Sequence, residues 1–122
     1  MAGKYKLLVV DDEESLRTIL RDELSHRNYE VKDAESGATA LEIMKAEHQD
    51  IVLLDVRMPE MDGLEVLRRI RKDNLARKVV MLTAVDELKI ARDSLKSGAN
   101  DFMTKPFQFQ ALFACLERVL QE

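Results

Sequence analysis

Five polar residues of this 122-residue chain stand directly behind short apolar runs. Leu7 to Val10 runs into Asp11-Asp12, Ile51 to Leu54 into Asp55, Val79 to Leu82 into Thr83, and Asp101 to Thr104 into Lys105-Pro106. Brought to one place, they would supply three carboxylates, a hydroxyl and an ammonium, a set that can hold a divalent cation and a phosphoryl group together. Two unit charges about 4 Å apart repel by about 4 kcal/mol at an effective dielectric near 20, so three gathered carboxylates need a cation or a proton. Hard oxygen ligands beside a phosphate site suit Mg²⁺, which keeps several waters and is commonly held by one or two carboxylates. Mn²⁺ is a chemically acceptable substitute.

Taken singly, each residue has a plainer use. Asp12, Glu13 and Glu14 complement the positive end of a helix; Thr83 can bond backbone at a strand end, and Lys105 can lie on the surface. Neither use accounts for Asp11, directly behind a strand, or for Asp55, where a buried carboxylate without partners would be costly.

The elements that must gather these groups are readable as five strands. Leu7 to Val10, Ile51 to Leu54 and Val79 to Leu82 are continuously apolar, as strands covered on both faces must be. Tyr29 to Asp33 alternates, and Asn100 to Thr104 is short and mixed, which fits strands nearer the edges. Helical spacing joins Leu16, Ile19, Leu20 and Leu24; then Ala40, Leu41 and Met44; then Leu64, Leu67 and Ile70. The third helix opens on Asp62-Gly63-Leu64-Glu65, which is similar to a capping box. The fourth runs near Glu87 to Ser97 and stops at Gly98, and the fifth spans Phe109 to Leu120. Strand and helix alternate five times, which predicts an α/β fold with a parallel sheet and helices on both faces. In such a sheet ligands bind outside the carboxyl ends of the strands, where all five polar residues would meet.

Length and composition predict one domain over residues 1–122. The apolar fraction of 46% and charged fraction of 34% describe a soluble globular protein with no membrane-length apolar run. The start, Met-Ala-Gly-Lys-Tyr-Lys, runs into the first strand and leaves no room for a signal peptide, so a cytoplasmic location is expected. A net charge of −4, with Arg68-Arg69 and Arg71-Lys72 as the nearest basic cluster, argues against direct nucleic-acid binding. The single cysteine, Cys115, reads as a packed helix residue, and His26 and His48 read as surface residues without metal-ligand spacing.

Asp11-Asp12, Asp55 followed by Val56-Arg57-Met58-Pro59-Glu60-Met61-Asp62-Gly63, Thr83-Ala84 and Lys105-Pro106-Phe107 together resemble the receiver domain of bacterial two-component response regulators. The resemblance spans nearly the whole chain and is closest to stand-alone receivers typified by the chemotaxis regulator and the sporulation phosphorelay intermediate. It implies a flavodoxin-like (βα)5 fold with strand order 2-1-3-4-5. It also implies that Asp55 is the phosphoacceptor, taking a phosphoryl group from a sensor histidine kinase or histidine phosphotransfer protein. Asp11, Asp12, Asp55 and the backbone carbonyl of Arg57 would hold Mg²⁺. Lys105 would offset charge on the phosphoryl oxygens and Thr83 would donate its hydroxyl to them. A cis Lys105-Pro106 bond would aim the lysine, since only X-Pro bonds adopt cis cheaply.

The resemblance further implies that Thr83 moves toward the phosphoryl group and that Phe102, in the fifth strand, follows as the switch aromatic. The alternative for Phe102 is a plain core residue. The kinase-side surface would comprise Glu14, Ser15, Thr18 and Arg21 with Pro106-Phe107. In the fifth helix Leu112, Leu116, Val119 and Leu120 can face inward, leaving Phe109 or Phe113 either packed on a neighbouring helix or exposed for a partner. With Leu88 and Ile90 they would form a helix 4–strand 5–helix 5 surface for an unknown target or for a weak dimer of an otherwise monomeric protein. Bulky Arg57 and apolar Val85 are expected to prolong the phosphorylated lifetime by hindering water.

Two other classes compete. A Mg²⁺-dependent aspartyl-phosphate phosphatase of the haloacid dehalogenase kind would need an Asp two residues after its nucleophile, where Arg57 stands. A flavodoxin-like flavin carrier needs hydroxyls and glycines after the first strand, where Asp11-Asp12-Glu13-Glu14 presents carboxylates. A receiver that is silent toward phosphate would remain a phosphorylation-independent binding module. The expectation is therefore a signalling receiver that catalyses its own phosphorylation and slow dephosphorylation, not a turnover enzyme.

Overall fold

A computed structural model describes residues 4–122. Met1-Ala2-Gly3, on which part of the signal-peptide reading rests, lies outside the described residues. The elements run β1 (Tyr5–Val10), α1 (Glu14–Ser25), β2 (Tyr29–Ala34), α2 (Gly37–Ala46), β3 (Gln49–Asp55), α3 (Gly63–Asp73), β4 (Ala76–Ala84), a 3-10 turn (Val85–Glu87), α4 (Leu88–Lys96), β5 (Asp101–Lys105) and α5 (Phe109–Gln121). The five strands form one sheet in the order β2-β1-β3-β4-β5, and every pair is parallel. This is the flavodoxin-like topology that the resemblance implied. Among the described residues no helix is long and apolar enough to cross a membrane.

The three central strands β1, β3 and β4 are longer than their apolar runs. Gln49 pairs with Ala76 and Ile51 with Lys78, while Tyr5 and Lys6 pair with Tyr29 and Glu30. Ladder bonds come from the backbone, so polar side chains at a strand's start do not end it. One sheet face packs Leu8, Val10, Val52, Leu54, Val79 and Met81 under α2, α3 and α4. The other packs Leu7, Val9, Ile51, Leu53, Val80 and Leu82 under α1 and α5.

The helices depart from their sequence patterns in three places. In α1, Leu20 and Leu24 are fully buried, but Ile19 is 48% exposed, because the core stripe is filled without it. At α3, Asp62 caps as expected by accepting from the Glu65 N–H at 3.0 Å. Glu65 does not complete a capping box with a side-chain bond back; its carboxylate pairs with Arg68 and Arg69 on the next turn. The fourth helix begins one residue later than expected because Glu87, with φ −117° and ψ 25°, is not helical. It ends at Lys96, with Ser97 at the cap and Gly98 just beyond at φ +110°, a conformation that favours glycine.

Gly63 has a different reason to be glycine. A Cβ there would stand 2.2 Å from the carbonyl oxygen of Asp55, and its N–H donates to the Val56 carbonyl at 2.8 Å. The start of α3 is thus pressed against the end of β3, where the acidic site lies.

Candidate functional site

The topology brings the strand-end residues together. Asp11 follows β1 and Asp55 ends β3, its neighbour in the sheet; both are buried, while Asp12 is exposed. Carboxylate oxygens of the three lie within 4.8 Å of one another. Asp11 Oδ1 accepts from the Glu13 N–H at 2.9 Å and its Oδ2 accepts from Lys105 Nζ at 2.7 Å. The same Nζ lies 3.5 Å from Asp55 Oδ2, and the Arg57 N–H donates to Asp55 Oδ1 at 3.4 Å. Lys105 therefore bridges the two buried carboxylates from the end of β5. The Lys105-Pro106 peptide is cis.

Burial, then the neighbouring Asp11 charge, pushes the Asp55 carboxyl up to about 6, against the opposing pull of Lys105. Burial also works against charge on Lys105, but its hydrogen bond to Asp11 and the charge of Asp55 outweigh it and hold the ammonium above its usual range. The donor set is all oxygen, compact and anionic, which fits a hard divalent cation.

Thr83 ends the buried part of β4 at 1% exposure. Its Oγ1 donates to backbone carbonyls, with Ala84 O at 3.2 Å and Glu87 O at 3.4 Å. Phe102 on β5 is half-buried and packs against the core beneath α4, as does Ile90. Leu88 is half-buried and Leu95 is 40% exposed, which leaves part of α4 apolar at the surface. Glu14, Ser15, Thr18 and Arg21 are exposed along α1, Pro106 is exposed and Phe107 is half-buried.

The fifth helix decides one of the two readings left open for its phenylalanines. Phe113 is 6% exposed, stacks on Phe109 at 6.0 Å and carries the Arg27 guanidinium 3.6 Å from its ring centroid. Arg27 follows α1, so this aromatic pair faces α1 and not α4. Of the two readings offered for these phenylalanines, packing on a neighbouring helix describes Phe113, and the surface shared with α4 lacks it. A groove of about 1080 Å³ opens there, lined by Arg27, Tyr29, Phe109 and Phe113, well away from the acidic cluster. Cys115 is buried as expected, its thiol pushed up to about 11 by burial and then by Asp101. His26 and His48 are exposed.

Three charged groups escaped the sequence reading. Arg17 donates to the Asp11 carbonyl at 2.7 Å and to Asp33 at 2.9 Å, fixing the backbone of the buried aspartate. Asp33 also binds Arg21 at 2.9 Å, so Arg21 is tied to β2 although it remains exposed. Glu87 is buried and accepts from Arg57 Nε at 2.7 Å, which turns the bulky side chain of Arg57 toward the β4–α4 turn. No local pattern marks these residues, because their partners come from other elements.

The response regulator receiver domain model matches residues 7–117. The chain is similar to the regulatory protein AtoC of Escherichia coli, at 37% identity over 99% of this chain and 26% of that protein. It is also similar to the chemotaxis protein CheY of Listeria monocytogenes, at 40% identity over 93% of this chain and 96% of that one. Of the first curated relatives it matches, the chain spans about half the length or less. Among solved structures, the receiver domain of NtrX from Brucella abortus superposes with a TM-score of 0.89 at 32% identity, covering 94% of this chain and 98% of that one. With the fold, the acidic cluster and these likenesses in agreement, the chain belongs to the response regulator receiver domain family.

Proposed function

We propose that Asp55 is the phosphoacceptor of this receiver. The observation that carries the reading is Lys105 Nζ bridging Asp11 and Asp55, at 2.7 and 3.5 Å, inside a cluster of three carboxylates. With its pKa near 6, Asp55 is mainly carboxylate at neutral pH and can act as nucleophile. Its oxygen attacks the phosphorus of a phosphohistidine, the P–N bond breaks, and the electron pair stays on the imidazole. Mg²⁺, or Mn²⁺ in its place, would be held by Asp11, Asp12, Asp55 and the Arg57 carbonyl and would offset charge on the phosphoryl oxygens when bound.

Lys105 then exchanges part of its contact with Asp55 for the phosphoryl oxygens, and Thr83 gives up a backbone carbonyl to donate to them. The added charge of roughly −2 draws the β4–α4 turn inward. Phe102 moves with it and alters the surface of α4, β5 and α5, where a downstream protein or a second copy binds. Glu14, Ser15, Thr18, Arg21, Pro106 and Phe107 form the surface for a histidine kinase or phosphotransfer protein. The chain, one receiver unit, works in the cytoplasm and catalyses its own phosphorylation without being a turnover enzyme.

Labelling with acetyl phosphate tests the reading. Incorporation that requires Mg²⁺, stops with chelator and is lost in Asp55→Asn is expected. Labelling that persists in Asp55→Asn would move the acceptor elsewhere, and no labelling of the parent under any condition would remove the phosphoacceptor function.

A further inference from the structure

Glu87 is an unusual residue to find buried in a surface turn: its side chain is 10% exposed, while that of its ion-pair partner Arg57 is 77% exposed. Its Oε2 accepts from Arg57 Nε at 2.7 Å and from an Arg57 terminal nitrogen as well. Among the described residues Arg57 is its ion-pair partner and no other cation reaches it. Arg57 in turn stands two residues beyond Asp55 and bonds it through the backbone N–H. The carbonyl of Glu87 meanwhile faces the Thr83 hydroxyl at 3.4 Å. One residue therefore touches both halves of the site, β3–α3 with its side chain and Thr83 with its backbone. A cleft of about 170 Å³ bordered by Val56, Leu64, Ile90 and the ion pair gives this turn room to shift.

We infer that Glu87 is a positioning residue for the phosphoryl switch, clamping the Thr83 turn in the unphosphorylated arrangement through Arg57 and through its own carbonyl. The inference rests on Asp55 being the phosphoacceptor. A phosphoryl group there opposes the clamp twice. Its charge of roughly −2 competes with Glu87 for the Arg57 guanidinium two residues away. The Thr83 hydroxyl has one proton, so donating it to the phosphoryl group means withdrawing it from the carbonyls. A group that engages only the unclamped arrangement must supply the free energy of unclamping, and its apparent affinity falls by that amount.

The test is a titration with beryllofluoride and Mg²⁺, a non-reacting phosphoryl mimic, followed by NMR of the Thr83 amide. It uses the parent, Glu87→Gln, Arg57→Gln and the double variant. Glu87→Gln is expected to bind roughly fivefold or more tightly than the parent. The same change made in the Arg57→Gln background is expected to do nothing further, because the two residues act through one another. Without ligand, the Thr83 resonance of Arg57→Gln should lie between those of the free and saturated parent. Arg57 is exposed, so this arm remains readable even if Glu87→Gln does not fold. Equal or weaker binding by Glu87→Gln, additive effects, or an unmoved Thr83 resonance would each overturn the clamp while leaving the phosphoacceptor reading intact. A parent that does not bind beryllofluoride overturns both.

Discussion

On the β1–β3 side of the site, Asp11 and Asp55 stand at the ends of strands whose preceding four residues are all buried, and their carboxylates already meet Lys105. On the β4–β5 side β4 is buried from Val79 to Thr83 but every residue of β5 is only half-buried; the Thr83 hydroxyl bonds backbone carbonyls, and Phe102 packs against the core beneath α4. The Asp11–Asp55 half is held by a dense interior with little freedom to relax. β5 by contrast is packed more lightly, and beyond the buried run of β4 an ion pair, Arg57–Glu87, helps to fix the turn. With Asp55 as the proposed phosphoacceptor, chemistry would be built on the stiff part of the sheet and movement on the part that can yield.

Replacing core residues on each side should separate the halves most strongly. Leu53→Ala, in fully buried β3, is expected to cost about 3–5 kcal/mol, and Phe102→Ala, though it deletes a larger group, about 2 kcal/mol. Equal losses in urea unfolding would erase the distinction. Gly63→Ala tests how tightly the stiff half is closed, since its new Cβ would meet the Asp55 carbonyl at 2.2 Å. A loss of about 3 kcal/mol is expected, as for other overpacked sites; a neutral outcome would mean that α3 can retreat.

The buried Asp55 gives a smaller, pH-dependent effect. Its carboxyl is near 6 in the folded protein against 3.8 ordinarily. Below about pH 3 both folded and unfolded states carry the proton and the group is neutral to stability. As pH rises toward 6 the unfolded chain releases the proton first, so the folded state loses stability, on the order of 2–3 kcal/mol by neutrality. Metal-free Asp55→Asn should therefore be the more stable protein at pH 7, with the difference closing near pH 3. A parent that is the more stable at pH 7 would show that the Lys105 ion pair outweighs burial. Hydrogen exchange offers the finest comparison: β5 amides should open at a free energy about 1 kcal/mol below those of β3. Indistinguishable protection in the two strands would contradict the difference in packing.

Much of the stiff part of the sheet, β4 included, was legible in the sequence. Continuous apolar runs at 7–10, 51–54 and 79–82 are required by burial on both sheet faces, and the polar residue behind each run marks the sheet's carboxyl edge. What escaped depends on which elements become neighbours. The sequence leaves Phe113 open between packing and a partner because a helical pattern gives the direction of a side chain but not the residue, here Arg27, that covers it. Ile19 matched the core stripe of α1 yet sits on its shoulder at 48% exposure. Glu87 belongs to no motif, and only folding shows its partner 30 residues earlier in the chain.

The bond from Lys105 to Asp11 joins residues 94 positions apart. It can close only after β5 has docked on β4, and β4 on β3, so a partly folded chain would present its aspartates without the lysine that balances them. Pairings this distant in sequence are slow to form because the loop must close before any contact rewards it. Competence to take up phosphate would thus arrive late in folding, and unfinished or unravelling molecules would stay silent in signalling rather than send a false message.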